Sequence, residues 1–172
     1  MGWCMTTTMS DRFRVWYDYE RDCNAKTMTM LESVPRQRRA EPDYPRACAK
    51  FAHMVAARWM WLHRLGGIDD RPETRDWVPG DGTVDEIRPH VQRVEAAWSE
   101  YLSGVSDDQL ARSLEWVGPD GTRRRWAIEE LLVQVFGHAW YHRGQIATLV
   151  ADLGGQAIDT DYIFWSRPEV VG

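Results

Sequence analysis

The chain has 172 residues, of which 44% are apolar and 27% are charged, as is usual for one soluble globular domain. Its net charge of −5 argues against nucleic-acid binding, and no apolar run reaches the roughly 20 residues of a membrane span. Three cysteines without a CxxC pair argue against a disulfide framework and fit a reducing cytoplasm. We therefore expect one cytoplasmic domain over residues 1–172, with residues 1–10 as a loose N-terminal end.

Two helices are predicted in the first 65 residues. The first covers residues 11–34 and ends before Pro35, because proline cannot continue a helix. Its broken inner stripe comprises Phe13, Trp16, Tyr17, Cys23, Asn24, Thr27, Met30 and Leu31. The second covers residues 43–65 and ends at a pair of glycines. Its predicted inner stripe comprises Ala49, His53, Ala56, Met60 and His63.

A third helix and a hairpin follow a predicted loop over residues 68–82. Thr83 and Glu86 have the spacing of a capping box. The helix that they start has an inner stripe of Ile87, Val91, Val94, Trp98, Tyr101 and Val105. Two short alternating runs on either side of Asp120-Gly121 predict a β-hairpin. Three arginines in the second run are interpreted as part of a solvated strand rather than a nucleic-acid patch.

The fourth long helix is predicted over residues 127–153. Four amphipathic helices predict an all-α fold, a four-helix bundle with a small β-hairpin before the last long helix. A helical domain with irregular topology is the alternative. The aromatic run over residues 162–165 is expected to pack back onto the bundle.

Two histidines in the last helix, His138 and His142, are four residues apart and share one helix face. Both fall on its predicted inner stripe, which comprises Ile128, Leu131, Val135, His138, His142, Gln145 and Leu149. Together with His53 they would supply the three protein ligands of a catalytic zinc site. The spacing alone leaves open that they are hydrogen-bonded core histidines. Ala139 stands where a zincin peptidase has its glutamate, which argues against that class.

The segment His138-Ala-Trp-Tyr-His142-Arg-Gly-Gln145 resembles the HxxxHRGQ signature of the DinB-like (DinB/YfiT-like) metalloenzymes. The resemblance extends over about residues 13–165 and includes His53, the hairpin and the aromatic tail. It implies a four-helix bundle with a divalent metal ion, most often zinc or nickel, on His53, His138 and His142. It also implies a homodimer. Some relatives transfer low-molecular-weight thiols such as bacillithiol or mycothiol.

The function favoured by these features is that of a metal-dependent thiol transferase acting on small electrophiles. Four residues are candidate contacts to the small-molecule substrate, namely Asn24, Trp59, Arg143 and Asp161. In the first helix the chain departs from the family pattern, since Asp22 stands where an aromatic residue is common. The alternatives are a non-catalytic metal-binding or ligand-binding protein of the stress-response kind, and a purely structural bundle with paired histidines.

Overall fold

The computed structural model describes residues 7–69, 83–118 and 120–166. The four long helices are α1 (Met9–Ser33), α2 (Asp43–Arg64), α3 (Val84–Gly104) and α5 (Ile128–Asp152). The short elements are a 3₁₀ turn (Arg36–Arg38), α4 (Asp107–Leu110), β1 (Ser113–Val117), β2 (Arg123–Ala127) and α6 (Tyr162–Trp165). The predicted all-α fold with a hairpin before the last long helix is therefore confirmed. Most of the expected loose end and of the loop predicted over residues 68–82 lies outside the described residues.

Side-chain caps determine where α1 and α3 begin. Thr8 Oγ1 accepts a hydrogen bond from the Asp11 backbone N–H at 3.1 Å, and the Asp11 carboxylate accepts one from the Thr8 N–H at 3.2 Å. This capping box starts α1 at Met9, so the end of the segment expected to be loose is helical. The capping box predicted for Thr83 and Glu86 is present at the start of α3.

The core lies between two pairs of helices. α2 packs against α5 and α3, and α1 packs against α3 and α5. Trp98 of α3 is fully buried at the centre, as its heptad position predicts, and its indole N–H donates to the Arg58 carbonyl at 3.0 Å. The rings of Tyr17 and Tyr101 lie against it, with centroids 6.1 and 5.7 Å away. Among the helices that the structure describes, none combines the length and the apolarity needed to cross a bilayer.

We expect Trp98→Phe to lower the free energy of unfolding by about 1–3 kcal/mol. The variant leaves a cavity and deprives the buried Arg58 carbonyl of its indole donor. Tyr101→Phe is the control, because it removes only one hydroxyl at a partly exposed position and should change stability by less than about 0.5 kcal/mol. Urea denaturation measures both. An unchanged midpoint for the Trp98 variant would mean that this indole does not support the core.

The inner faces predicted for α2 and α5 are rotated from the observed ones. The buried residues of α2 are Tyr44, Ala47, Cys48, Phe51, Ala52, Met54, Val55, Arg58, Trp59 and Leu62. Those of α5 are Leu131, Leu132, Val135, Phe136, Ala139, Arg143, Ile146 and Val150. His53 is exposed, and His138 and His142 are half-buried. The prediction was wrong because it centred each stripe on its histidines, which lie instead at the rim of the α2–α5 interface.

The hairpin leads directly into α5. β1 and β2 are antiparallel, with Ser113 opposite Ala127. Gly121 has a φ of 75°, a left-handed conformation that glycine adopts without steric cost. The arginines of β2 form ion pairs on the hairpin surface, Arg123 and Arg125 with Glu115 and Arg124 with Asp120. The three arginines are thus paired within the hairpin, as expected for a solvated strand.

The tail after α5 packs back on α1 through two aromatic rings. The ring centroid of Tyr19 lies 5.2 Å from that of Tyr162 and 5.6 Å from that of Trp165. Ile163 and Phe164, between them, are 63% and 70% exposed. The tail therefore covers part of α1 with Tyr162 and Trp165, whereas Ile163 and Phe164 face solvent.

Candidate metal centre

Three imidazoles from two neighbouring helices meet at the rim of the α2–α5 interface. The Nε2 atoms of His53 and His138 are 3.0 Å apart. The ring centroids of His138 and His142 are 4.5 Å apart, and the His53 centroid lies 5.1 and 5.0 Å from them. One nitrogen from each ring lies within 4.8 Å of the others. Within the described ranges this is the one cluster of three or more donor side chains that could hold a metal ion.

A glutamine and a lysine orient one of these rings. Gln145 Oε1 lies 3.1 Å from His142 Nδ1 and accepts a hydrogen bond from Lys50 Nζ at 2.8 Å. Because an amide oxygen only accepts, His142 carries its proton on Nδ1 and keeps the Nε2 lone pair for a metal ion. Sequence reasoning placed Gln145 on the inner stripe without a role. Its position three residues after His142, on the same helix face, was the available signal.

The electrostatic surroundings favour the neutral, metal-binding form of His138. Burial lowers the pKa of this imidazole, and the neighbouring His142, His53 and Arg58 lower it further. Metal ions bind histidine only in its deprotonated form. The lowered pKa therefore keeps His138 available as a ligand at a lower pH than an ordinary exposed histidine.

A cleft of about 320 Å³ opens beside the cluster. Its lining consists of Arg46, Ala49, Lys50, His53 and His142. A larger cavity of about 570 Å³ lies between α1 and the tail, but its lining includes none of the three histidines. Of these two cavities, only the smaller cleft opens onto the cluster, at His53 and His142.

The cluster fits a divalent metal ion. Imidazole nitrogens on one tetrahedral zinc ion are roughly 3.3 Å apart, at Zn–N bonds of about 2.0–2.1 Å. The 3.0 Å separation between His53 and His138 is close to this value. Three imidazoles at the edge of an open cleft match a catalytic site, which has three protein ligands and one further position for solvent or substrate.

A protein-family model described as the DinB family matches residues 6–169. The chain belongs to the DinB family. A curated relative, Protein DinB of Bacillus subtilis (strain 168), is 21% identical over 170 residues, which cover 94% of this chain and 99% of the relative. No solved structure matches the chain significantly. The family predicted from the histidine motif is therefore confirmed.

In this DinB-family chain the arginine of the motif pairs with a fully buried carboxylate. Arg143 donates to Glu20 Oε1 at 2.8 Å and to Glu20 Oε2 at 3.2 Å. Arg58 of α2 also donates to Glu20, and the Trp140 indole N–H donates to it at 2.6 Å. One carboxylate of α1 thus binds both of the helices that carry the histidines.

The Glu20 carboxylate is ionised in the folded protein. Burial by itself would raise the pKa of Glu20, but the charges of Arg58 and Arg143 outweigh burial and hold the pKa below its ordinary value. Sequence reasoning missed this residue because a glutamate was not expected in the core. Its position three residues after Tyr17 and four before Asn24 places it on the inner stripe of α1, and this spacing was the available signal.

Two of the predicted substrate contacts, Asn24 and Trp59, are buried outside the cleft. Asn24 donates to Glu95 at 2.8 Å and accepts from Arg58 at 3.3 Å. Trp59 is 3% exposed, and the Arg93 guanidinium lies 4.6 Å from its ring centroid. The structure places both in packing and polar contacts between helices, and their role in substrate binding stays a prediction.

The other two, Arg143 and Asp161, line a separate cavity of about 330 Å³ between α1, α5 and the tail. Tyr19, Trp140 and Tyr162 form much of its wall. The histidine cleft is lined by neither residue. The structure therefore brings the three predicted metal ligands together and leaves the four predicted substrate contacts elsewhere.

Proposed function

We propose that this DinB-family protein is a metal-dependent transferase that delivers a small thiol to a small electrophile. The observation that carries the proposal is the three-imidazole cluster beside an open cleft whose described lining residues include no carboxylate. Hydrolysis needs a general base to take a proton from water. A thiol has an unperturbed pKa of about 8.5, so it loses its proton much more readily than water does and depends less on a general base. Thiol transfer is thus the reaction that these residues support with the fewest additional groups.

In this proposal His53, His138 and His142 hold a divalent ion, zinc or nickel. When bound, the ion would lower the pKa of a thiol in the cleft, so that the nucleophilic thiolate forms near neutral pH. The residues of the chain position the metal ligands and the substrates. Gln145 fixes the tautomer and the orientation of His142, and the cleft of about 320 Å³ gives small molecules access to the cluster.

The proposed reaction balances without a redox partner. The thiol loses its proton to solvent, and its sulfur forms a bond to the electrophilic carbon. With a halogenated compound, the carbon–halogen bond breaks and the halide leaves with the bonding electron pair. With an epoxide, a carbon–oxygen bond breaks and the ring oxygen takes up a proton from solvent.

A conjugation assay tests the proposal. Zinc-loaded and nickel-loaded protein would be compared with apo protein, using glutathione, bacillithiol, mycothiol and simple thiols against a model alkyl halide. We expect at least one thiol to react faster with loaded protein than with apo protein, and His142→Ala to abolish the difference because it removes an imidazole of the cluster.

His90→Ala on α3 is the matched control, since His90 lies outside the cluster. It should retain the full rate. If loaded wild-type protein binds metal yet matches the His142→Ala background with every thiol, the transferase proposal is wrong. A non-catalytic metal-binding function would then replace it.

A further inference from the structure

We infer that the histidine cleft selects a ligand that carries a carboxylate in addition to the group that reaches the histidines. Lys50 is the residue that recognises this carboxylate. Arg46 would bind a second carboxylate on the same ligand. The inference rests on the proposed function in assuming that a small thiol enters this cleft. It goes further in naming the chemical class of that thiol and the side chains that select it.

The two basic residues and His53 follow one face of α2. Arg46, Lys50 and His53 are spaced four and three residues apart, and all three line the cleft. At about 1.5 Å per residue, Lys50 lies about 4.5 Å and Arg46 about 10.5 Å from His53 along the helix axis. A ligand that extends from the histidines along α2 therefore passes Lys50 first and Arg46 second.

The Lys50 ammonium has further N–H donors with which it can bind such a ligand. Its ammonium is half-buried and, among the described residues, donates one hydrogen bond, to Gln145 Oε1 at 2.8 Å, and pairs with no carboxylate. An ammonium group has three N–H donors. Arg46 pairs with Asp43 at 2.5 Å, but its side chain is 65% exposed, where an ion pair contributes little. Lys50 is therefore the stronger of the two anion contacts.

Charge balance explains why an anion belongs here. Three imidazoles bring no negative charge to a divalent ion, so the ion and Lys50 together would leave excess positive charge in one small cleft, even though Asp43 offsets the charge of Arg46. Gln145 Oε1 contacts both the Lys50 ammonium and the His142 ring, so the ammonium is held beside the cluster. A carboxylate-bearing thiol offsets this charge, whereas a neutral thiol offsets only part of it.

Cobalt(II)-loaded protein gives a binding readout that does not depend on turnover, because a thiolate bound to cobalt produces a charge-transfer absorption band. The probes are 3-mercaptopropionate and 3-mercapto-1-propanol, which have the same length and differ in charge. After correction for the pKa of each thiol, we expect 3-mercaptopropionate to bind at least about tenfold more tightly than 3-mercapto-1-propanol at low salt. The preference should fall as ionic strength rises. Mercaptosuccinate, with two carboxylates, should bind more tightly still.

Lys50→Gln removes the charge and keeps a donor for Gln145. We expect it to reduce the preference for 3-mercaptopropionate over 3-mercapto-1-propanol to within about twofold, measured as the ratio of the two affinities in the same variant, so that any change at His142 affects both thiols alike. Arg46→Gln should reduce only the additional affinity for mercaptosuccinate. Arg12→Gln, at an exposed position on α1, is the control because it changes the net charge equally and lies outside the cleft.

The outcomes separate this inference from the proposed function. If both thiols bind with equal affinity, or if Lys50→Gln keeps the full preference, the inference is wrong and the proposed function stands. If neither thiol produces the absorption band in protein that holds cobalt, thiol binding itself is wrong and both proposals fall.

Discussion

Replacing His138 or His53 with alanine is expected to weaken zinc binding by at least about 100-fold. Each variant removes one of three imidazole donors, and even the outer partners of metal ligands are typically worth about 10–100-fold in affinity. Competition with a chromophoric chelator measures the affinity. Elemental analysis of protein purified without a histidine tag measures occupancy, which should approach one ion per chain in the wild type.

His90→Ala is again the matched control, because it removes an imidazole from α3 and leaves the cluster intact. It should bind zinc as the wild type does. Full metal occupancy in the His138 and His53 variants would contradict a three-histidine centre. Equal loss in all three variants would show that the ion is not held by this cluster alone.

Glu20→Ala is expected to lower the free energy of unfolding by about 3–5 kcal/mol. The substitution leaves Arg58 and Arg143 buried without their shared carboxylate. Urea denaturation of the apo protein measures the loss. The matched control is Glu32→Ala, also on α1, which removes a partner of Arg88 where both side chains are substantially exposed. That variant should lose less than about 1 kcal/mol.

The pH dependence of stability separates the charge of Glu20 from its packing. Its pKa in the folded protein is below the ordinary value of 4.5. The ionised carboxylate therefore stabilises the fold fully above that value, and the contribution is lost as the pH falls through the folded-state pKa. The stability difference between wild type and Glu20→Gln should be constant near neutral pH and should narrow in acid. A difference that persists unchanged in strong acid would contradict the ion pairs.

Local signals were sufficient to predict the helices and the hairpin. Capping residues, Pro35 and the Asp120-Gly121 turn act within a few residues of the chain, so the sequence alone reveals them. The buried face of α3 was also predictable, because its apolar residues follow one uninterrupted heptad pattern through Trp98. The faces of α2 and α5 were not, because apolar residues flank their histidines on both sides and only the neighbouring helices decide which side is buried.

The candidate site also contains some residues that local sequence signals could predict and other contacts that depend on tertiary packing. His138 and His142 are one turn apart, so their proximity is a local property, and His53 was linked to them by its place on the predicted inner stripe of the second helix, which the family resemblance then supported. The contacts of Gln145 with Lys50, and of Glu20 with two arginines, join residues that are 38 to 123 positions apart in the chain, so they depend on how the helices pack against one another. The homodimer implied by the family stays a prediction.

The rim position of the histidines predicts that folding does not require a metal ion. The aromatic and aliphatic core closes without His53, His138 and His142. In zinc fingers the ion takes the place of a core, and the chain unfolds when the ion is removed. If the three histidines hold a metal ion as proposed, we expect a chelator to remove it from a chain that keeps its fold, and one metal to exchange for another while the helices stay packed. The identity of that ion would then be expected to follow the ions available to the folded protein rather than those present while the chain folds.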